Sequence, residues 1–258
     1  MNIDVPRRPL GDTGIEVSVL GLGTVKLGRE QGLKYPKPFT IPDDADASRL
    51  LATARDLGIN LIDTAPAYGT SEARLGRLLR GQRNDWLIAT KVGENFENGQ
   101  SSYDFSPEAV LVSVKRSLQR LRTDRLDVVL IHSDGRDLEI LEQFGTLQCL
   151  QNLKQQGWVR AVGISHKTVS GARRAMALGC DLIMATLNLD DQSELALIAE
   201  AGAAGCGVLI KKALASGHAG AASLRFAASQ PGVSSVVVGT INPEHLLANV
   251  RTVAELDG

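Results

Sequence analysis

The feature that most constrains this chain is the recurrence of eight short apolar runs, each followed by an amphipathic stretch. The runs are residues 17–22 (VSVLGL), 59–62 (INLI), 86–90 (WLIAT), 126–131 (LDVVLI), 159–164 (VRAVGI), 182–186 (LIMAT), 207–210 (GVLI) and 235–238 (SVVV). None alternates strictly between apolar and polar residues. That is the pattern of strands covered on both faces, as in a parallel sheet beneath helices. Between the runs, apolar periodicity predicts helices over 45–57, 72–79, 107–121, 138–154, 168–178, 193–203, 219–229 and 243–256. Leu50, Leu51, Ala54 and Leu57 share a face of the first, which ends before Gly58; Ser106 and Pro107 supply an N-cap and first turn for the third. Strand–helix alternation implies right-handed βαβ units. From Val19 onward the repeat is about 30 residues, the scale at which eight such units close a barrel. The expected fold is therefore α/β, a (β/α)8 TIM barrel, with residues 1–258 as one domain. Residues 9–17 lie outside the repeat. Their Asp12-Thr13-Gly14 turn predicts a β-hairpin capping the barrel floor.

Charge and composition narrow the function classes. Lys+Arg number 28 against 29 Asp+Glu, a net charge of −1, which argues against nucleic acid or an anionic membrane as partner. No apolar run approaches the roughly 20 residues of a membrane span, and MNIDVPRRPLGDTG lacks the apolar region of a signal peptide. The three cysteines, Cys149, Cys180 and Cys206, are widely spaced and form no C-x-x-C, so reduced thiols in a cytoplasmic protein are expected. A monomer is the default expectation.

In barrels of this kind the chemistry lies at the C-terminal ends of the strands. Reading just past each run gives Gly23-Thr24, Asp63 with Tyr68 five residues on, Lys91, His132, Ser165-His166, Lys211-Lys212 and Gly239-Thr240. A carboxylate, a phenol, an ammonium and an imidazole thus converge on one rim. Taken singly, each has a structural explanation as a turn cap, a solvated lysine or a packed histidine. Four on successive strand ends point to catalysis. A phenol has a pKa near 10, which a neighbouring ammonium would lower. Asp63 would hold Lys91, and His132 could orient a carbonyl oxygen. Such a set exchanges a proton with a carbonyl oxygen or an alcohol, and no metal-ligand spacing is present. The matching hydride requires a cofactor, since no side chain supplies one. A Rossmann fingerprint is absent, because Lys26 stands where a third glycine is needed. The segment Gly239-Thr240-Ile241-Asn242, just before Pro243, offers backbone N–H groups at a helix N-terminus for a phosphate.

These motifs resemble the aldo-keto reductase family. INLIDTAPAYGTSEARLG is similar to its Asp…Tyr signature, IATKV to its Lys strand, VVLIHS to its His strand, and VVVGTINPEHLLANV to its C-terminal cofactor motif. The resemblance implies reduction of aldehydes, ketones or sugars, with Asp63, Lys91 and His132 around Tyr68 as proton donor. It implies cofactor contacts from Gly23, Thr24, Asp63, Ser165, His166, Lys211, Leu214, Gly239, Thr240, His245 and Asn249. The chain also departs from the family. His166 stands where Asn is common, Met184 where Gln is usual, and Lys211 where an aromatic often stacks on the nicotinamide. Gly239 and His245 replace the basic residues near the adenosine 2′-phosphate. NADP(H) is still expected ahead of NAD(H), with any preference carried by His245 weakening as that ring loses its proton. The loop 28–44 (GREQGLKYPKPFTIPDD) has three prolines, which exclude a helix. It is either a solvated segment or a lid whose Arg29, Lys34, Lys37, Tyr35 and Phe39 favour anionic or polyhydroxylated carbonyl compounds. Two other functions fit the same residues: an NAD(P)+-dependent alcohol or sugar dehydrogenase, and a low-turnover NADP(H)-binding redox sensor.

Overall fold

The computed structural model describes residues 4–33, 35–36 and 38–256. It opens with an antiparallel hairpin, β1 (Arg7–Pro9) and β2 (Glu16–Ser18). The barrel begins with β3 (Leu20–Gly23), β4 (Leu61–Asp63) and β5 (Leu87–Val92). A second antiparallel hairpin follows, β6 (Glu94–Glu97) and β7 (Gln100–Tyr103). The barrel resumes with β8 (Leu126–His132), β9 (Val159–Ser165), β10 (Leu182–Thr186), β11 (Gly207–Lys211) and β12 (Ser235–Val238). These eight strands close in chain order, all parallel, with β12 pairing back onto β3. The expected (β/α)8 barrel with an N-terminal hairpin is what forms.

The surrounding helices are α1 (Asp44–Asp56), α2 (Ser71–Leu78), α3 (Pro107–Leu121), α4 (Asp137–Glu142), α5 (Thr146–Gln155), α6 (Val169–Ala177), α7 (Leu195–Ala203), α8 (Ala221–Ala228) and α9 (Pro243–Ala254). Caps fix several of their starts. The side chains of Asp43, Ser106, Thr168 and Asn242 accept from the backbone N–H of Asp46, Ala109, Gly171 and Glu244 respectively. One sequence expectation needs correction. The helix predicted over 138–154 is two helices, α4 and α5, broken at Gly145 in the left-handed region (φ 73°). Apolar periodicity runs through the break, so the period alone could not show it.

The core has two parts. Between strands and helices lies an aliphatic layer that includes Leu50, Leu75, Val114, Leu150, Ile198 and Val250. Inside the barrel a second cluster joins Leu61, Ala89, Val128, Leu130, Leu182 and Leu209 to Leu10, Ile15 and Val17 of the N-terminal hairpin. All three hairpin residues are buried, so the hairpin closes the floor by inserting apolar side chains under the strands. Removing the apolar surface of one such leucine from water stabilises by about 1.5–3 kcal/mol.

Strand register sets the opposite rim. Gly23 pairs with Asp63, His132 with Ser165, and Thr186 with Lys211. Buried Glu72 on α2 ties this rim to the helices, accepting from Thr90 Oγ1 (2.7 Å) and Ser117 Oγ (2.7 Å). Among the described residues no helix is long and apolar enough to cross a membrane.

Candidate active site

Asp63 ends β4, and the chain then turns through a short 3-10 helix, Pro66–Tyr68, that swings Tyr68 back over it. Thr70 N–H donates to Gly28 O (3.2 Å), fixing this turn against the start of the 28–44 loop. Lys91 Nζ lies 2.5 Å from Asp63 Oδ1 and donates to Thr64 O (3.0 Å) and Tyr68 Oη (3.1 Å). Tyr68 Oη in turn donates to Asp63 Oδ2 (3.2 Å). His132 closes β8 and stands edge-on to Tyr68, ring centroids 6.5 Å apart. The four residues expected to act together therefore meet at one corner of a single cavity.

The pKa of Tyr68 runs opposite to the sequence expectation. Burial raises it well above 10, and the Asp63 carboxylate raises it further. Lys91 does not reverse this, because its charge is already spent on Asp63 at 2.5 Å. The resting phenol therefore keeps its proton. Burial also lowers the His132 pKa, assisted by Lys91 and Lys211 and opposed by Glu94. Nδ1 of His132 sits 2.8 Å from Glu94 Oε2, at ion-pair distance without an aligned hydrogen bond.

The cavity has a volume of about 540 Å³ and runs from these residues toward β11 and β12. Gly23, Thr24, Ser165, His166, Lys211, Leu214 and Gly239 all line it; Thr240, His245 and Asn249 lie beyond it. Thr24 is fully buried, its hydroxyl donating to Asp63 O (2.8 Å) and accepting from Ser71 Oγ (2.8 Å). Lys211 Nζ is folded back, donating to Ser165 Oγ (2.9 Å) and His166 O (2.8 Å). Burial, aided by Lys167, lowers its pKa to about 7. The imidazole of His166 is buried, with Nε2 at 2.8 Å from Glu194 Oε2 and Nδ1 without a partner among the described residues. Met184 lines the cavity below them. Thr240 Oγ1 accepts from Asn242 N–H (3.1 Å) ahead of α9. On that helix His245 is exposed and Asn249 half-buried.

Backbone strain concentrates in one lining segment. Five non-glycine residues have φ in the left-handed region among the described residues, and three of them are Lys212 (61°), Ala215 (45°) and Ser216 (58°). Such conformations collect where a site needs a particular backbone shape. From the 28–44 loop, Tyr35 lines the cavity and packs edge-on against Phe39 (5.7 Å), while Lys26 Nζ lies 3.9 Å above the Tyr35 ring. Arg29 stacks on Phe96 (3.5 Å) and donates to Ala67 O (3.1 Å). Lys34 and Lys37 lie outside the described residues.

Two charged residues escaped the sequence reading. Glu94 had only a partial signal: Asn98-Gly99 between β6 and β7 is a turn dipeptide, with φ of 52° and 80°, but polar segments flank it. Glu194 carries no comparable signal, since its partner His166 is 28 residues away.

Comparison with known proteins gives one consistent answer. The aldo/keto reductase family model matches residues 19–219. PA4992 of Pseudomonas aeruginosa, described as an aldo-keto reductase, superposes with a TM-score of 0.92 at 52% identity, covering 100% of this chain and 98% of that one. Aldo-keto reductase AKR11C1 of Bacillus halodurans, in its holo form, gives a TM-score of 0.84 at 26% identity, covering 96% of this chain and 91% of that one. L-galactose dehydrogenase of Arabidopsis thaliana is 38% identical over 61% of this chain and 47% of its own length. NADH-specific methylglyoxal reductase of Escherichia coli is 31% identical over 72% of this chain and 60% of its own length. The matches span about half the length of the first curated relatives.

Proposed function

Because this chain belongs to the aldo/keto reductase family, we propose that it is an NAD(P)H-dependent oxidoreductase that reduces the carbonyl of aldehydes, ketones or sugars to alcohols, with Tyr68 as proton donor. The observation that carries this reading is the Tyr68 hydroxyl, protonated and held between Lys91 Nζ (3.1 Å) and Asp63 Oδ2 (3.2 Å) at the cavity wall. The donor set suits a dinucleotide. Lys26, Lys167 and Lys212 border the cavity and complement phosphates, and Gly239 leaves a wall without a side chain. We assign the nicotinamide end to Ser165, His166 and Lys211, the strained 212–216 segment with Leu214 to the pyrophosphate, and Thr240, His245 and Asn249 to the adenosine. NADP(H) stays ahead of NAD(H) in this reading.

The bound nicotinamide supplies the hydride, and the protein supplies the rest. As the carbonyl oxygen gains negative charge, Tyr68 Oη gives it a proton, and the phenolate left behind faces the Lys91 ammonium. Asp63 keeps that ammonium in place through the 2.5 Å contact. A general acid so placed contributes about 10²–10⁴-fold in rate. The raised Tyr68 pKa keeps the resting phenol protonated, the form from which a proton is given to the carbonyl oxygen. We read residues 1–258 as one catalytic domain acting on a small-molecule substrate.

Fluorescence titration with NADPH and NADH, followed by a panel of aldehydes, ketones and sugars, tests the proposal. Saturable binding with cofactor oxidation on at least one carbonyl class is expected. Binding without turnover across the panel would support the sensor reading, and no binding would overturn the assignment.

A further inference from the structure

Lys211 ends β11 and lines the same cavity as Tyr68, yet the proton transfer above does not use it. Its Nζ is tethered to the end of β9, donating to Ser165 Oγ (2.9 Å) and His166 O (2.8 Å). A third N–H of the ammonium has no partner among the described residues. The two buried carboxylates of the cavity are engaged elsewhere. Glu194 Oε2 lies 2.8 Å from His166 Nε2, and Asp63 Oδ1 lies 2.5 Å from Lys91 Nζ.

The groups that face Lys211 are mostly bases. Lys167 follows β9, Lys212 is the next residue, and Lys91 and His132 stand across the barrel mouth. Glu194, ahead of α7, is the acid that opposes them; Asp191 on the same segment is exposed and accepts from Ser193 Oγ (2.7 Å). From β10 and β12, Met184, Val237 and Val238 border the cavity, and none of them titrates. Burial, aided by Lys167, Lys212 and Lys91 and opposed by Glu194, brings the Lys211 pKa down to about 7. The strand order sets β5, with Lys91, directly opposite β11. A ring that passes a hydride to a carbonyl held at Tyr68 therefore lies inside this mouth, with Lys211 in the wall facing the catalytic corner.

The nicotinamide ring is neutral when reduced and positively charged when oxidised. We infer that Lys211 discriminates between these two states: its ammonium, fixed to Ser165 and His166, repels the oxidised ring and leaves the reduced ring unopposed. This rests on the reductase reading and deepens it, making Lys211 the residue that selects the redox state of the bound cofactor. The protein then keeps the reduced form ready for a carbonyl and sheds the oxidised form after the hydride has left. Unit charges a few ångströms apart at a protein surface repel strongly enough to shift binding by about tenfold or more. Where the repulsion is strong, the amine escapes it by losing its proton. One pH unit below the Lys211 pKa, the discrimination therefore approaches a ceiling of about tenfold. The sign with pH follows: below about pH 7 the reduced form is favoured, and the two affinities converge as the ammonium loses its proton.

The test is equilibrium binding with no carbonyl present. Titration of the wild type with NADPH, NADP+, NADH and NAD+ gives the ratio of oxidised to reduced dissociation constants for each pair. The phosphates are common to both members of a pair, so their effects cancel in that ratio. The ratio should be about fivefold or more larger at pH 6 than at pH 9. In Lys211→Met this pH dependence should disappear. A slope of the same size in Lys211→Met would place the titrating group elsewhere and overturn the proposal. So would a wild-type ratio that is flat or that rises with pH. A second readout needs no variant. Calorimetry near pH 7 in two buffers of different ionisation enthalpy counts the protons exchanged on binding. The oxidised cofactor should release up to about half a proton more than its reduced partner; equal counts would overturn the proposal. If neither form binds, the reductase reading itself falls. If both bind with a pH-independent ratio, that reading stands and only the role of Lys211 is lost.

Discussion

The two hairpins of this barrel are alike in length and opposite in use. The first sits on the floor and sends Leu10, Ile15 and Val17 up among the strands, where they are buried with Leu61, Val128 and Leu209. The second sits on the rim, mostly exposed, and sends Glu94 to His132. One contributes apolar area and the other a charge. The difference follows from what each end of a closed parallel barrel lacks: the floor needs a dry plug, while the rim holds the strand-end side chains that do chemistry. Changes at the floor should therefore alter stability and leave rates alone, and changes at the rim should do the reverse.

The largest departure from that symmetry is expected at Tyr68. Tyr68→Phe removes the hydroxyl that bridges Lys91 and Asp63. It should lower kcat for carbonyl reduction by about 10²–10⁴-fold, with cofactor affinity and thermal midpoint nearly unchanged. A near-normal rate would remove Tyr68 from the mechanism. Leu10→Ala is the floor counterpart. Leu10 is fully buried, and its truncation should destabilise by about 2–5 kcal/mol in denaturant unfolding while kcat stays within a factor of two or so. A comparable loss of kcat in the still-folded variant would mean that floor and rim are coupled.

A smaller effect marks where the division should blur. Lys211 belongs to the rim, yet burial lowers its pKa to about 7. Between about pH 7 and the ordinary lysine value near 10.4, it binds fewer protons folded than unfolded, so its contribution to stability rises with pH across that window. Lys211→Met lacks this term. The variant's thermal midpoint relative to the wild type should accordingly fall between pH 6.5 and 9, by a few degrees at most. A pH-independent difference would show that Lys211 stays charged in its contacts with Ser165 and His166.

What the sequence disclosed follows the same division. The barrel was legible because strands buried on both faces must be apolar throughout, and because the unit length recurs. The corner of Asp63, Tyr68, Lys91 and His132 was legible because strand register carries side chains past strand ends to the same height. The floor hairpin announced itself through Asp12-Thr13-Gly14 and flanking apolar residues. The rim hairpin carries Asn98-Gly99, an equally good turn signal, but its strands (ENFE and QSSY) are polar and do not read as strands. The direction of the Tyr68 shift was not legible either. It depends on how deeply the ring is buried and how completely Asp63 offsets Lys91, and residue spacing reports neither. The pairing of Glu194 with His166 is a tertiary contact with no local pattern.

The central claim is that this cavity carries a hydride to a carbonyl carbon while Tyr68 protonates the oxygen. It is tested most directly by supplying NADPH or NADH deuterated at the transferable position of C4, together with aldehydes, ketones and sugars, and locating the label by mass spectrometry. The account predicts alcohol carrying one deuterium at the former carbonyl carbon in the wild type, and almost none over the same interval in Tyr68→Phe. Consumption of the carbonyl without label in the product, or no cofactor oxidation with any carbonyl offered, would contradict it.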